Sequence, residues 1–392
     1  KQRTDFGLEE PHWDLADPTD AFNESLLVFD RDGRLAGVRA STFDGRTRWV
    51  APELADLQQQ LEANFSDRLV DIIDWDASHR RFLVLVFSLT DPGRYYLVEQ
   101  RDGLQLTELL RRSPALTAAR LNRSIPFAFD TATGVHLTGT LTLPRRSRVI
   151  PPPLVVMCRD IPGRRELPEF NREIQAAAAM GFAVATVNYR GTAGFGTKHR
   201  DAVREGFDTI PVEDVRATVA WLTSHYAVNA KRVALFGYGF GGFIALRAAQ
   251  LFPEEFRCVV SVNAPADLLA WHDEEPRSGL RTLPDLAFEV RQQFFERSRL
   301  AGRSVLEHVT AKDRPVLIIQ DPTKADLRES QGLGLRNALQ RAGRTVEYLP
   351  INGGTVVGNP AVRARVFGQI AGFLNDHIYE FRVDLGTEKE VK

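Results

Sequence analysis

Past Arg145 the chain alternates between apolar runs of strand length and longer stretches of helical length. Leu154 to Met157, Ala183 to Val187, Arg232 to Phe236, Val259 to Val262, Val316 to Ile319 and Val346 to Leu349 predict strands. Glu169 to Ala179, Pro211 to His225, Phe240 to Gln250, Leu327 to Arg341 and Ala361 to His377 predict helices. A strand that is apolar at consecutive positions, such as Val233-Ala234-Leu235-Phe236, has a core on both faces. Strands that alternate with helices pair in parallel through right-handed crossovers. The expectation is an α/β domain with a mostly parallel sheet covered by helices. Pro151-Pro152-Pro153 makes a stiff lead into its first core strand, and Asp273 to Ser298 reads as a helical insertion over one end.

Upstream the period is shorter. Leu26 to Phe29 and Leu35 to Val38 flank Asp32-Gly33, a hairpin signal. After a helical Pro52 to Asn64 come Leu69 to Trp75, Arg81 to Phe87, a turn at Asp91-Pro92-Gly93, and Tyr95 to Val98. This reads as about two four-stranded antiparallel units at roughly the spacing of propeller blades. Residues 1–123 are therefore expected to form a partial β-propeller-like region and residues 124–392 the α/β domain. Two blades cannot close a ring, so their edges are open to pairing with a second copy or another chain.

The 392 residues carry 50 Lys plus Arg against 51 Asp plus Glu, which leaves no global field to attract nucleic acid or an anionic membrane. No apolar stretch approaches the roughly 18 residues of a membrane span. The first residue is Lys1, read as a trimmed start, so the compartment stays open between cytoplasmic and periplasmic or secreted after signal removal. Cys158 and Cys258 are too few for a disulfide framework. The eight histidines show no metal-ligand spacing, and no metal or other cofactor is implied.

The most informative segment runs strand, glycine-rich turn, helix: Arg232 to Phe236, then Gly237-Tyr238-Gly239-Phe240-Gly241-Gly242. It nearly matches a dinucleotide fingerprint, but no acidic residue ends the next strand, Cys258 to Val262, where a ribose contact would sit. It also matches G-x-S-x-G, the nucleophile elbow of an α/β hydrolase, with Gly239 at the nucleophile's place. Before it come Asn188-Tyr189-Arg190-Gly191-Thr192-Ala193-Gly194-Phe195-Gly196 and Val212-Glu213-Asp214-Val215.

Taken in order, these motifs resemble the prolyl oligopeptidase family of serine peptidases, dipeptidyl-peptidase and acylaminoacyl-peptidase branches included, over about Ser124 to His377. The resemblance implies an α/β-hydrolase domain capped by a β-propeller, with peptides cleaved by a Ser, Asp, His triad. Carried over residue by residue, it departs repeatedly. The serine falls on Gly239. The acid falls on Lys324 when Gln331 is matched to the family's final glutamine, with Asp321 and Asp326 as displaced replacements. The histidine falls on Val356, or on Gly354 with a two-residue gap, and no histidine lies between His308 and His377. The family's H-G-G-P oxyanion loop reads Arg159-Asp160-Ile161-Pro162. These departures imply a pseudoenzyme, either binding a peptide in a cleft lined by Tyr189, Tyr238, Phe240 and Arg159 or serving as an assembly unit. The alternative is an active serine peptidase or esterase of the same family with a relocated nucleophile or histidine. Cys158, activated by Arg159, and Ser224-His225 are the other candidate nucleophiles; adjacent residues on a helix face different ways, which disfavours the pair. His272-Asp273-Glu274-Glu275 reads as a solvated acidic turn rather than a metal site.

Overall fold

Hydrophobic alternation before residue 112 and continuous apolar runs after residue 153 build two kinds of sheet. The computed structural model describes residues 27–39, 47–117, 120–161, 165–193, 195–274, 294–322, 327–351 and 360–379. β1 (Leu27–Phe29), β2 (Leu35–Arg39) and β3 (Thr47–Trp49) form a three-stranded antiparallel sheet, one strand fewer among the described residues than expected. Helix α1 (Pro52–Asn64) has Pro at its start, where a missing N–H costs nothing, and places Leu54, Leu57 and Leu61 on one buried stripe. That stripe packs on β4 (Leu69–Trp75), β5 (Arg81–Ser88) and β6 (Asp91–Arg101) through Val70, Ile72, Val84 and Val98. β7 (Gly103–Arg111) closes this four-stranded antiparallel sheet as an exposed outer strand. The turn expected at Asp91-Pro92-Gly93 lies elsewhere. Ser88 pairs with Asp91, so Leu89 and Thr90 turn the chain and Pro92 is the second residue of β6, beside the turn, where its missing donor is tolerated.

The second unit starts with the hairpin β8 (Arg123–Asp130) and β9 (His136–Leu143). β10 (Pro153–Cys158), β11 (Ala183–Asn188), β12 (Asn229–Tyr238), β13 (Val259–Val262), β14 (Val316–Gln320) and β15 (Val346–Pro350) join them in an eight-stranded sheet, ordered β15-β14-β13-β12-β10-β11-β9-β8. The last six are parallel, and the hairpin is antiparallel at the edge. Leu154, Val156 and Cys158 enter one core while Val155 and Met157 enter the other, which is why the run is apolar throughout. Among the described residues the α-helices of this unit include α2 (Arg172–Ala179), α3 (Thr197–Asp201), α4 (Ile210–His225), α5 (Phe240–Leu251), α6 (Leu268–His272), α7 (Glu329–Arg341) and α8 (Pro360–Ile378). Most of the insertion expected at Asp273 to Ser298 lies outside the described residues. No helix of the described residues is long and apolar enough to cross a membrane.

Just ahead of β8, the buried Asn122 and Gln175 clasp each other. Asn122 N–H donates to Gln175 Oε1 at 2.8 Å, and Gln175 Nε2 donates to the Asn122 carbonyl at 3.1 Å. Helix α2 is thereby tied at its middle to the segment leading into β8.

Candidate functional site

The turn between β12 and α5 is shaped by glycine. Gly239 has φ 54° and ψ −128°, in the positive-φ range that L side chains enter only under strain. Its N–H donates to the Val262 carbonyl at 2.9 Å. A Cβ at Gly237 would lie 2.5 Å from Gly242 N, and one at Gly241 would lie 2.5 Å from the Arg159 carbonyl oxygen and nearer still to that of Cys158. The helix therefore starts directly against the end of β10. This is the backbone of a nucleophile elbow.

The space that a side chain at Gly239 would need is taken by Asp160, in the loop after β10. A Cβ at Gly239 would lie 2.6 Å from Asp160 Oδ2, and Phe240 N–H donates to Asp160 Oδ1 at 2.7 Å. In an α/β hydrolase the N–H following the nucleophile is an oxyanion donor. Here a carboxylate of the chain takes it, in the position that the positive end of α5 favours for an anion.

Of the residues expected to line a cleft, Tyr238 and Arg159 border a cavity of about 610 Å³ between the two units. Tyr189 and Phe240 do not reach it, being 0% and 2% exposed. Tyr189 donates its hydroxyl to the Arg159 carbonyl, and Phe240 packs in tilted ring contacts with Phe243, Trp271 and Phe295. Aromatics beside a glycine turn pack inward because the sheet and α5 leave an apolar gap there. Arg159 Nε pairs with Glu166 Oε2 at 2.8 Å. Burial pushes the Glu166 carboxyl above its ordinary range while Arg159 pulls it down. Burial, with Glu173 as hydrogen-bond partner, holds the Tyr238 phenol well above its ordinary value. Lys324, Asp326, Gly354 and Val356 lie outside the described residues. Asp321 is buried, with its N–H donating to Asn263 Oδ1 at 2.7 Å.

The other nucleophile candidates are placed too. Ser224 and His225 approach each other after all, Oγ to Nδ1 at 2.9 Å, at the exposed end of α4. Both also reach the Trp221 carbonyl, at 2.8 and 2.9 Å. An Nδ1–H spent on that carbonyl has no lone pair with which to take the serine proton. Cys158 is 1% exposed, and burial pushes its thiol up to about 12. We expect the native chain to resist iodoacetamide at pH 8 and to be alkylated once unfolded; native labelling at Cys158, mapped by peptide mass, would contradict this. His272 is buried and hydrogen-bonded through Nε2 to the Phe295 carbonyl, and no cluster of three or more metal-ligating side chains occurs among the described residues.

The model of the prolyl oligopeptidase family matches residues 168–380, more than half of the chain. The chain belongs to the prolyl oligopeptidase family. Relatives within this family include dipeptidyl aminopeptidase BIII of Pseudoxanthomonas mexicana, 24% identical over 275 residues, or 68% of this chain and 40% of that protein. Dipeptidyl peptidase family member 6 of Caenorhabditis elegans is 24% identical over 351 residues, 83% of this chain and 47% of the relative. The chain thus spans less than half the length of either. Pyrococcus horikoshii acylaminoacyl peptidase superposes with a TM-score of 0.68 at 17% identity, covering 88% of this chain and 55% of that one. A Mycobacterium tuberculosis puromycin-hydrolyzing peptidase gives 0.64 at 22%, covering 76% and 47%. Likeness at this level of identity establishes the α/β-hydrolase fold.

Asp160 is the residue that sequence reading undervalued. In sequence it is only a departure within the oxyanion loop, and nothing local indicates that its carboxylate meets an N–H 80 positions away.

Proposed function

We propose that this chain is a non-hydrolytic member of the prolyl oligopeptidase family that binds a peptide in the cavity beside the elbow without cleaving it. The observation that carries the reading is the pair Gly239 and Asp160. The nucleophile's position has no side chain to acylate, and a carboxylate occupies both its space and the neighbouring oxyanion donor. The sequence adds Lys324 for the acid and Gly354 or Val356 for the base. A lysine there disfavours an imidazolium, and a triad already fails after one loss. The three- and four-stranded antiparallel sheets are assigned as blades of a partial propeller in residues 1–123. Residues 124–392 are assigned as the hydrolase domain, whose sheet begins at Arg123. A second reading, self-assembly through a blade edge, rests on β7, an outer strand exposing Leu109 and Leu110 at 51% and 53%.

The test is a fluorophosphonate serine-hydrolase probe, run beside chromogenic peptide and ester substrates. No labelling and no turnover are expected, and labelling at a defined serine would name a nucleophile and overturn the reading. Gly239→Ser alone is expected to remain as inactive as Gly239→Ala, because acid and base are missing too. Turnover by the serine variant above the alanine background would sink the claim.

A further inference from the structure

We propose that the ligand of the cavity is a short acidic peptide, held by arginine forks contributed from both structural units. The inference rests on the peptide-binding reading above and adds the ligand's charge.

Four arginines line the cavity among the described residues, each from a separate part of the chain: Arg112 after β7, Arg159 after β10, Arg172 opening α2 and Arg363 in the first turn of α8. The lining carboxylates are Asp160 and Glu173, and both are engaged within the chain, Asp160 by Phe240 N–H and Glu173 by the Tyr238 phenol. Arg159 is shared with the buried Glu166. The side chains of Arg112 and Arg172 are exposed and have no ion pair among the described residues. Arg363 too is engaged within the chain, so Arg112 and Arg172 are the guanidiniums that the wall offers to a ligand, while its carboxylates are already satisfied.

Three further features favour a peptide over a bare anion. A guanidinium offers paired N–H donors that match a carboxylate edge to edge. Phe170, Pro92 and Tyr238 add apolar wall that an inorganic ion cannot use. A volume of about 610 Å³ is also in the range of sites that enclose ligands much larger than phosphate. Because Arg112 belongs to the antiparallel unit and the other three to the α/β unit, an extended ligand with carboxylates on successive residues would bridge the two.

The test is isothermal titration of the full chain with blocked tetrapeptides carrying two glutamates, two glutamines or two lysines, and with inorganic phosphate. The glutamate peptide is expected to bind about tenfold or more tightly than the glutamine one. That preference should shrink as salt rises from roughly 0.05 to 0.5 M. It should vanish in the double variant Arg112→Glu, Arg172→Glu. Both positions are exposed, and a glutamate in the first turn of α2 suits the helix dipole, so its melting temperature should match the parent's. Equal affinity for the glutamate and glutamine peptides overturns the charge inference and leaves the peptide-binding reading standing. Binding of phosphate alone, or of no probe, overturns both, while the fluorophosphonate result decides separately whether the elbow is hydrolytic. A glutamate preference that survives in the folded double variant places the acidic site elsewhere and also overturns the proposal.

Discussion

Replacing Gly241 with alanine is expected to cost about 3 kcal/mol or more of stability. The added Cβ would sit 2.5 Å from the Arg159 carbonyl oxygen, with the Cys158 carbonyl closer still. Both obstacles are backbone, so no rotamer change relieves them. Nor can the strand yield easily, because Cys158 is in register with Gly237 on β12, and Gly237 is itself pressed against the start of α5. Relief requires α5 to lift from the sheet, which opens a gap under Phe243 and Ile244, both fully buried. Gly368→Ala in α8 is the control, since a Cβ there meets nothing within 4 Å and alanine is the better helix former by up to about 1 kcal/mol. Guanidinium unfolding followed by circular dichroism should give shifts of opposite sign. A Gly241→Ala midpoint equal to the parent's would mean that the elbow is far softer than its contacts imply.

The second large effect is expected at Arg190. Its guanidinium donates to both carboxylate oxygens of Asp214, from Nε at 3.0 Å and Nη2 at 2.6 Å, and its own N–H adds a third donor at 2.9 Å. The arginine side chain keeps 23% exposure, whereas the aspartate has 2%. Removing the arginine therefore strands a buried anion, at a cost of about 3 kcal/mol or more. Asp214→Ala leaves a cation that can still turn toward water, so its cost should be smaller. In the double variant the two losses should combine to less than their sum, by roughly 1–3 kcal/mol. Strict additivity would show that the pair is a bystander to the joint between β11 and α4.

Much of this architecture is readable from the chain alone because burial on both faces leaves a continuous apolar signature. Val259 to Val262 falls where the pattern puts it, as does helix Pro52–Asn64, whose opening proline and single leucine stripe are local signals. Ends are less legible. β12 begins at Asn229 and runs to Tyr238, since ladder pairing with β10 and β13 extends a strand past its apolar centre. At the site, the strand, glycine turn and helix are written locally in five residues, with Gly239 at their centre. The occupant of the oxyanion donor is not, because it depends on how a loop after β10 meets a helix formed 80 residues later. Tyr189 and Phe240 mislead for a related reason. An aromatic beside a functional motif looks the same in sequence whether it faces a cleft or fills the gap beneath one, and here both fill the gap. Ser224 and His225 mislead in the opposite sense, as positions three and four past Trp221 in the last turn of α4 both reach back to its carbonyl and so converge.

The clasp between Asn122 and Gln175 has a mechanical meaning. Gln175 lies on the same short helix whose first residues, Arg172 and Glu173, face the cavity, and the clasp holds that helix by two buried amide contacts to the segment leading into β8. Helix α2 is thereby pinned at its middle to the lead-in of β8, so Arg172 and Glu173 sit on a helix fixed to the antiparallel edge of the eight-stranded sheet.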